Sequence, residues 1–198
     1  MINAPDPSTW AGQRDQALLA TLYNTGARVS EAINIKIADA ALDGSPTIRL
    51  HGKGRKDRTV PIWPATAIQL RRWLKRIDRV PDKPLFPTLS GGLLTRSAVT
   101  DRVRRAVQAA VGKCASLARQ RISPHTFRHT TAMHLLQSGV DITLVALWLG
   151  HESPVTTHIY VEADLKMKEA ALKAVRPPST KPIRYEPPDR LLRFLQEL

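Results

Sequence analysis

The chain has 198 residues, of which 42% are hydrophobic, so it can form one compact domain, and a disordered chain is excluded. Its 30 lysine and arginine residues against 17 acidic ones give a formal net charge of +13, which indicates a polyanionic partner, with nucleic acid as the leading class. The alternative is a basic protein whose charge serves only to keep it dispersed.

The first half of the chain begins with a helix and continues into a hairpin. Apolar residues share one helical face from residue 13 to 24, Gly26 supplies the C-terminal stop, and Arg28 begins a second short helix. Two short β-favouring runs, 48–50 and 58–62, flank a loop that contains Gly-Lys-Gly-Arg-Lys-Asp. This pattern predicts an antiparallel β-hairpin.

Two further helices are predicted, each with an apolar stripe and a basic face. Pro64 opens the first, and Thr95 is a good N-cap for the second. The stripes consist of Leu70, Trp73, Leu74 and Ile77 in the first helix and of Val99, Val103, Ala106 and Ala110 in the second. The other faces are basic and are expected to meet water or DNA, through Arg71, Arg72, Lys75 and Arg76 in the first helix and Arg102, Arg104 and Arg105 in the second.

Punctuation residues predict the elements of the second half. One helix is predicted to start at Ser123-Pro124 and to stop at Gly139, and a second to start at Asp141 and to stop at Gly150. A third is predicted to start at Ser153-Pro154. Helix continues over 165–175, a proline-rich linker follows, and 189–198 form a short amphipathic helix. Because that last helix is too small to bury its apolar face alone, it docks on its own domain or on a neighbouring protomer. The predicted fold is mainly α with a small antiparallel β-hairpin or sheet.

Cysteine content and hydropathy bear on the compartment. The single cysteine, Cys114, cannot form an internal disulfide and is predicted to fill the core. No apolar stretch reaches the roughly eighteen residues that a membrane span needs, and the N-terminus does not have the pattern of a secretory signal. A reducing cytoplasm fits these features, and no membrane partner is expected.

His125 and Arg128 have the arrangement of a phosphate site. Pro124 at the first helical position places them three residues apart, near a helix N-terminus and pointing the same way. The exposed N–H groups of that end favour an anion, a guanidinium can hold two of its oxygens, and a neutral imidazole can move a proton. The alternative is that His125 is a simple helix cap.

A second histidine and a tyrosine follow at a helix end. His151 comes directly after Gly150, a predicted C-cap, and Tyr160 lies nine residues later. A Gly-His pair at a helix end positions its imidazole tightly. The alternative is that His151 satisfies loose carbonyl groups and Tyr160 is a half-buried core aromatic residue.

Four sequence blocks together resemble the tyrosine recombinases of the phage-integrase type. They are T-G-A-R-V-S-E-A at 25–32, H-G-K-G-R-K-D-R-T-V-P-I at 51–62, H-T-F-R-H at 125–129, and L-G-H-E-S through I-Y-V at 149–161. Each block is weak alone, but their order and joint presence are a strong signal. The resemblance implies that family's catalytic-domain fold over residues 1–176, followed by the linker and short helix at 177–198, with the family's N-terminal core-binding domain absent.

The resemblance also implies a catalytic set. Its members are Arg28, Lys53, His125, Arg128, His151 and Tyr160. In this family the two arginines hold the scissile phosphate, the lysine protonates the leaving 5′ oxygen, and the histidines supply proton transfer and a hydrogen bond. The tyrosine forms a 3′-phosphotyrosyl intermediate, and the reaction needs no metal or cofactor. The expected partner is double-stranded DNA, on which such enzymes form tetramers, although an isolated domain can be monomeric, and a mobile element is the expected setting.

Two rival functions remain at this stage. A metal-dependent nuclease would use His125 and His129, which are four residues apart, but no carboxylate occurs between 125 and 135. The other rival is a truncated, catalytically weak DNA-binding remnant of a larger recombinase, because only about a dozen residues precede the first matched helix.

Overall fold

The computed structural model describes residues 1–52 and 57–150, and every element named below lies in these stretches. The helices are α1 (Trp10–Thr25), α2 (Val29–Ile33), α3 (Pro64–Leu74), α4 (Arg96–Val111), α5 (Pro124–Gln137) and α6 (Ile142–Leu149), with 3₁₀ turns at Ile37–Asp39 and Ala115–Arg119. The strands β1 (Ala40–Ala41), β2 (Thr47–His51) and β3 (Asp57–Pro61) form an antiparallel sheet in that order. The predicted class, mainly α with a small antiparallel sheet, is confirmed.

Helix α1 lies at the centre of the core. Thr9 accepts a hydrogen bond from the amide of Gly12 at 3.0 Å, and this cap starts the helix earlier than its apolar face predicted. Gly26 ends it in the left-handed conformation with φ of 60°, as predicted. Leu18 and Leu22 are fully buried, and the helix packs against both α3 and α5. The C-terminal end of α1 is therefore packed between other helices rather than exposed at the surface.

The sheet buries one face against this core. Ile48 and Val60 are paired across β2 and β3, and both are buried together with Leu50. Burial alternates along β2, so Arg49 between them is exposed. The two strands of the predicted hairpin are confirmed. Strand β1 was not predicted, because two alanines carry no β-favouring pattern.

The apolar stripes of α3 and α4 are buried as predicted, except that α3 ends at Leu74, before Ile77, which is only partly buried. Their buried members are Leu70, Trp73, Leu74, Val99, Val103, Ala106 and Ala110. The indole N–H of Trp10 donates to the carbonyl of Arg76 at 3.3 Å, and the rings of Trp10 and Trp73 meet edge to face at 5.0 Å. These contacts place the C-terminal end of α3 beside the first turn of α1.

Two expectations about side chains in and after α4 are wrong. Arg102 is only 21% exposed, because its Nε donates to the carboxylate of Asp15 at 3.0 Å and its Nη1 to the carbonyl of Ala98 at 2.7 Å. Asp15 of α1 also binds Arg14, so one carboxylate draws two guanidinium groups inward. Cys114 is exposed and does not fill the core, since it lies between α4 and a 3₁₀ turn.

Helices α5 and α6 begin and end close to the predicted residues. Pro124 is the first residue of α5, Asp141 caps α6 by accepting from the amide of Thr143 at 2.8 Å, and Gly150 ends α6 with φ of 63°. Helix α5 ends slightly before the predicted stop, Gly139, whose φ is 81°. The two helices pack together around a small cluster of buried apolar residues, formed by Ala132, Leu136, Val145 and Leu149.

The described residues fall within one compact unit. None of their helices is both long and apolar enough to cross a membrane. Four predicted features lie outside the described residues: the helix start at Ser153-Pro154, the helix at 165–175, the boundary at 176 and 177, and the short helix at 189–198.

Candidate active site

Arg128 joins the C-terminal ends of two helices. Its side chain is buried, with Nη1 donating to the carbonyl of Gly26 and Nη2 to that of Leu149, each at 2.7 Å. Carbonyl groups at a helix C-terminus lack intrahelical partners and carry partial negative charge, so a guanidinium is a suitable partner for both. One residue of α5 thus fixes the end of α1 against the end of α6.

The two carbonyl groups that Arg128 binds come just before other predicted site residues. Gly26 lies two residues before Arg28, and Leu149 lies two residues before His151. The structure therefore brings Arg128 beside the segment that carries Arg28. His151 lies outside the described residues, so only the segment that leads to it is seen.

Arg28 is the N-cap of α2 and presents a half-exposed side chain. Its side chain is 47% exposed, with Nη1 3.1 Å from a carboxylate oxygen of Glu31, while its backbone amide donates to the other oxygen at 2.8 Å. Glu31 therefore both caps α2 and orients the side chain of Arg28. The exposed part of the side chain is available to an anion.

Glu31 is the buried anion of this cluster. Its side chain is 4% exposed and forms a bidentate ion pair with Arg58, at 3.0 and 2.8 Å. Burial, the largest influence, favours the neutral acid, but the hydrogen bonds and charge of Arg58, followed by those of Arg28, lower the pKa of Glu31 overall. The carboxylate is therefore ionised at neutral pH.

Arg58 extends the cluster from β3 to α6. Besides its two bonds to Glu31, its Nε donates to the carbonyl of Trp148 at 2.9 Å. Arg58 and Arg128 thus bind consecutive carbonyl groups in the last turn of α6. Neither Glu31 nor Arg58 was predicted as a site residue. The three-residue spacing from Arg28 to Glu31 is the local signal that could have identified Glu31, since it fits a capping box.

Two glycines allow these helix ends to approach closely. A Cβ at Gly26 would clash with Cδ2 of Leu149, and a Cβ at Gly150 would lie 2.9 Å from Nη1 of Arg58. Both glycines also have positive φ, a backbone conformation that residues with a side chain rarely adopt. Gly26 and Gly150 are therefore fixed by backbone conformation and by space.

The buried side-chain amide of Asn24 links three elements that surround the Arg28, Glu31 and Arg58 cluster. The side chain of Asn24 donates to the carbonyl of Pro61 at 3.2 Å and accepts from the amide of Trp63 at 2.7 Å, where the chain leaves the sheet. The carbonyl of Asn24 accepts from the indole of Trp148 at 3.2 Å. One residue therefore connects α1, the exit from β3, and α6.

The histidines of α5 divide into two groups. His125, in the first turn and three residues before Arg128, is exposed, and its ring meets that of His129 edge to face at 4.4 Å. Burial lowers the pKa of His129, with a smaller effect from the nearby charges of His125 and Arg128. His134, nearer the end of α5, contacts the hydroxyl of Tyr23 instead. The structure thus places His125 in the first turn of α5, near its N-terminus, as predicted.

Three of the six predicted catalytic residues can be located. Arg28, His125 and Arg128 are described, whereas Lys53, His151 and Tyr160 lie outside the described residues. Within residues 1–52 and 57–150, no group of three or more His, Cys, Asp and Glu side chains is arranged to hold a metal ion.

Two pairs of exposed arginines differ in their place relative to the candidate site. Arg119 and Arg121 are exposed on the segment that leads into α5 and His125. Arg72 on α3 and Arg76, two residues after the end of that helix, are exposed, and this end of α3 lies beside the start of α1. Arg28 follows the opposite end of α1, a helix of 16 residues and so about 24 Å long. Of these two pairs, Arg119 and Arg121 are therefore the pair next to a candidate site residue, His125.

Comparisons with known proteins agree with one family. The profile of the phage integrase family matches residues 1–167. A Sinorhizobium fredii protein named "Putative integrase/recombinase y4rC" is 44% identical over all 198 residues, which correspond to 60% of its own length. The tyrosine recombinase XerC of Thermodesulfovibrio yellowstonii is 36% identical over 175 residues, covering 84% of this chain and 56% of that protein.

Solved structures of recombinases share the fold. The XerH site-specific recombinase bound to palindromic difH substrate, in a post-cleavage complex, superposes with a TM-score of 0.73 and 32% identity, over 86% of this chain and 48% of that one. XerA recombinase gives a TM-score of 0.70 at 28% identity, over 93% and 60% of the two chains. The chain spans about half to three fifths of the length of these relatives. On sequence and fold together, this chain belongs to the phage integrase family of tyrosine recombinases.

Proposed function

We propose that this chain is the part of a site-specific recombinase that breaks and rejoins DNA strands. The observation that carries the proposal is the placement of Arg128. Its guanidinium is held by two carbonyl groups, one beside the segment of Arg28 and one beside the segment of His151. A buried arginine that unites the segments of three candidate residues suits a preorganised phosphate site.

In the proposed reaction, the phenol oxygen of Tyr160 attacks the scissile phosphorus. A P–O bond forms to the tyrosine as the bond to the 5′ oxygen breaks, which leaves a 3′-phosphotyrosyl link. Lys53 donates a proton to the departing 5′ oxygen, and His125 assists removal of the phenol proton. Attack by a different 5′-hydroxyl reverses these steps and rejoins the strands, so bond energy is conserved.

Charge stabilisation is assigned to the arginines. Arg28 and Arg128 would hold the nonbridging oxygens of the phosphate, and His151 would add a hydrogen bond. The half-exposed side chain of Arg28 supports this assignment, because the ion pair with Glu31 orients it while about half of it stays accessible. Since fixed cations stabilise the transition state, the reaction is proposed to need no metal ion.

The proposed partner is double-stranded DNA. The net charge of +13 supports sequence-independent binding to phosphates. Arg119 and Arg121, exposed next to the first turn of α5, would continue the positive surface from the site along the backbone. We further propose assembly as a tetramer on DNA, a monomeric state for this part alone, a cytoplasmic location and the biological setting of a mobile element.

The alternative is a catalytically weak remnant that only binds DNA. The arginine cluster argues against it, since Glu31 accepts one hydrogen bond from the side chain of Arg28 and is itself held by two from Arg58, all within 3.1 Å. A surface used only for binding has no need of a buried, oriented pair of this kind. Cleavage assays therefore separate the two functions.

The test uses a nicked duplex that traps the covalent product. Wild-type protein is expected to form a denaturant-resistant adduct, and Tyr160→Phe is expected to bind DNA equally well without forming one. Arg128→Ala should reduce the rate of adduct formation by much more than it reduces DNA affinity. An adduct that persists in Tyr160→Phe would contradict the nucleophile, and equal losses of rate and affinity in Arg128→Ala would contradict the phosphate site.

A further inference from the structure

His51 closes the neck of the hairpin loop. It is the last residue of β2 and pairs with Asp57, the first residue of β3. Its Nδ1 lies 3.0 Å from a carboxylate oxygen of Asp57, and its Nε2 lies 3.0 Å from a carboxylate oxygen of Asp39. One imidazole therefore bridges both ends of the loop to the 3₁₀ turn before β1.

This geometry specifies the charge state of the ring. Ionised carboxylates only accept hydrogen bonds, so both ring nitrogens must carry hydrogen for both contacts to be favourable. That species is the imidazolium. The hydrogen bond to Asp39 and then the one to Asp57 raise the pKa of His51. A neutral ring would instead turn one lone pair toward a carboxylate.

The two carboxylates are themselves held in place. Asp39 is 10% exposed, and its second oxygen accepts from the backbone amide of Lys36 at 2.8 Å. Asp57 is bound by Arg49 of β2 at 2.7 and 3.2 Å, and Arg49, followed by His51, lowers its pKa. The ammonium of Lys36 is turned away to Asp82, at 2.9 Å. His51 is therefore the titratable group that joins two fixed anions.

The loop closed by this contact carries a proposed proton donor. Residues 52–56 connect His51 to Asp57, and Lys53 is the second residue after His51. A proton donor must reach hydrogen-bond distance of the leaving oxygen, and a displacement of about 1 Å can cost a hundredfold in rate. The anchorage of the loop therefore bears on proton transfer.

We propose that His51 is a positioning residue that, as an imidazolium, fastens the hairpin neck and so aligns Lys53 for proton transfer to the leaving 5′ oxygen. This inference rests on the proposed function, and it adds a residue that acts through the lysine without touching DNA. Because the pKa of His51 is raised, the contact is complete below the ordinary value of 6.5 and is lost as pH rises through the folded-state value. Loop anchorage therefore weakens at alkaline pH.

The decisive experiment changes the leaving group. In a DNA substrate with sulfur in place of the scissile 5′ oxygen, the leaving thiolate needs no proton donor, because a thiol has a pKa of about 8.5. Lys53→Ala should lose roughly 100- to 10,000-fold on the oxygen substrate and recover on the sulfur one. His51→Gln should lose roughly 10- to 100-fold on oxygen and recover on sulfur in the same way.

The two proposals fail differently in this experiment. If Lys53→Ala gains nothing from sulfur, the proposed proton donor is wrong, and the inference falls with it. If Lys53→Ala recovers but His51→Gln does not, His51 does not act through the lysine and the inference alone is overturned. If His51→Gln cleaves the oxygen substrate as fast as the wild-type protein does, the inference is overturned as well.

A pH profile gives the second arm. His51→Arg keeps a permanent cation that can donate to both carboxylates, so it should retain cleavage at alkaline pH where the wild-type rate falls. The control is His134→Gln, which removes a histidine bonded to Tyr23 and should leave the wild-type profile unchanged. Titration of the His51 ring by NMR measures its pKa directly in the folded wild-type protein. A value at or below 6.5 overturns the inference.

Discussion

Arg58 and Glu31 form a bidentate ion pair in which each guanidinium Nη donates to a different carboxylate oxygen, at 3.0 and 2.8 Å. The side chains are 11% and 4% exposed, so water screens this pair little. Since Arg28 contacts the same carboxylate, Glu31 is the common anion for two cations on different elements. The pair therefore bears on both stability and the site.

Replacing Glu31 with Gln should destabilise the protein strongly. The amide is nearly isosteric but leaves Arg58 buried without a counter-charge, and loss of one partner of a buried pair costs about 3–5 kcal/mol. Urea denaturation measures this loss. Asp101→Asn is the control, because its ion pair with Arg104 is 52% and 65% exposed and should contribute below about 1 kcal/mol. Similar losses of unfolding free energy in Glu31→Gln and Asp101→Asn would contradict the stronger contribution assigned to the buried ion pair.

The difference in stability between wild type and Glu31→Gln should depend on pH. Because the folded protein lowers the pKa of Glu31, its ionic contribution is complete above the ordinary value of 4.5 and is lost as pH falls through the folded value. The two unfolding free energies should therefore converge in acid. Denaturant titrations from neutral pH down to below 4 measure the convergence. A gap that stays constant would mean that the carboxylate is not the group responsible.

Replacing Gly150 with Ala should disturb the site as well as the backbone. A side chain at positive φ costs about 1–2 kcal/mol, and the new Cβ would also lie 2.9 Å from Nη1 of Arg58. Gly139→Ala is a matched control, since Gly139 has φ of 81° and open space around it. We expect Gly139→Ala to lose stability alone, and Gly150→Ala to lose more stability and also slow adduct formation. Equal cleavage rates would separate Arg58 from catalysis.

The salt dependence of DNA binding should identify the phosphate contacts. Each contact changes the slope of log affinity against log salt by about 0.9, so Arg119→Ala with Arg121→Ala should make it shallower by about 1.8. The pair Arg72→Ala with Arg76→Ala, at and just after the C-terminal end of α3, should change the slope less, because these residues lie toward the opposite end of α1. Binding titrations over a range of salt concentrations decide between the two surfaces. An equal effect of both pairs would extend the interface to α3.

Cleavage should be unaffected by removal of metal ions. Transition-state charge is assigned to Arg28 and Arg128, so adduct formation on the nicked duplex should proceed fully in EDTA. Loss of cleavage in EDTA, restored by a divalent metal, would instead favour a nuclease that uses the His125 and His129 pair.

The elements with local signals were predicted well. Thr95, Asp141 and Gly150 act through hydrogen bonds and backbone angles within one or two turns, so the sequence around them is sufficient. The same holds for Gly26 at the end of α1. Two alanines in β1 carry no comparable signal, because that strand exists only by pairing with β2.

The site was predicted less completely, for a physical reason. Arg28, His125 and Arg128 were identified by resemblance, and the structure brings Arg128 beside the segment of Arg28. Arg58 was missed because its partners, Glu31 and Trp148, are 27 and 90 residues away in sequence. The wrong prediction for Arg102 has the same origin, since Asp15 is 87 residues away. The roles of Lys53, His151 and Tyr160 stay predictions.

The hydrogen bond from Trp148 to Asn24 spans 124 residues, and it has a consequence for biosynthesis. Contacts between distant parts of a chain form late, since closing a large loop costs entropy before the contact repays it. A ribosome-bound chain that ends before α6 contains Arg28, Arg58 and Arg128 but lacks the carbonyl groups that align two of them. The guanidinium cluster is thus completed only after synthesis has passed residue 149, so unfinished chains carry the charges without the contacts that align them.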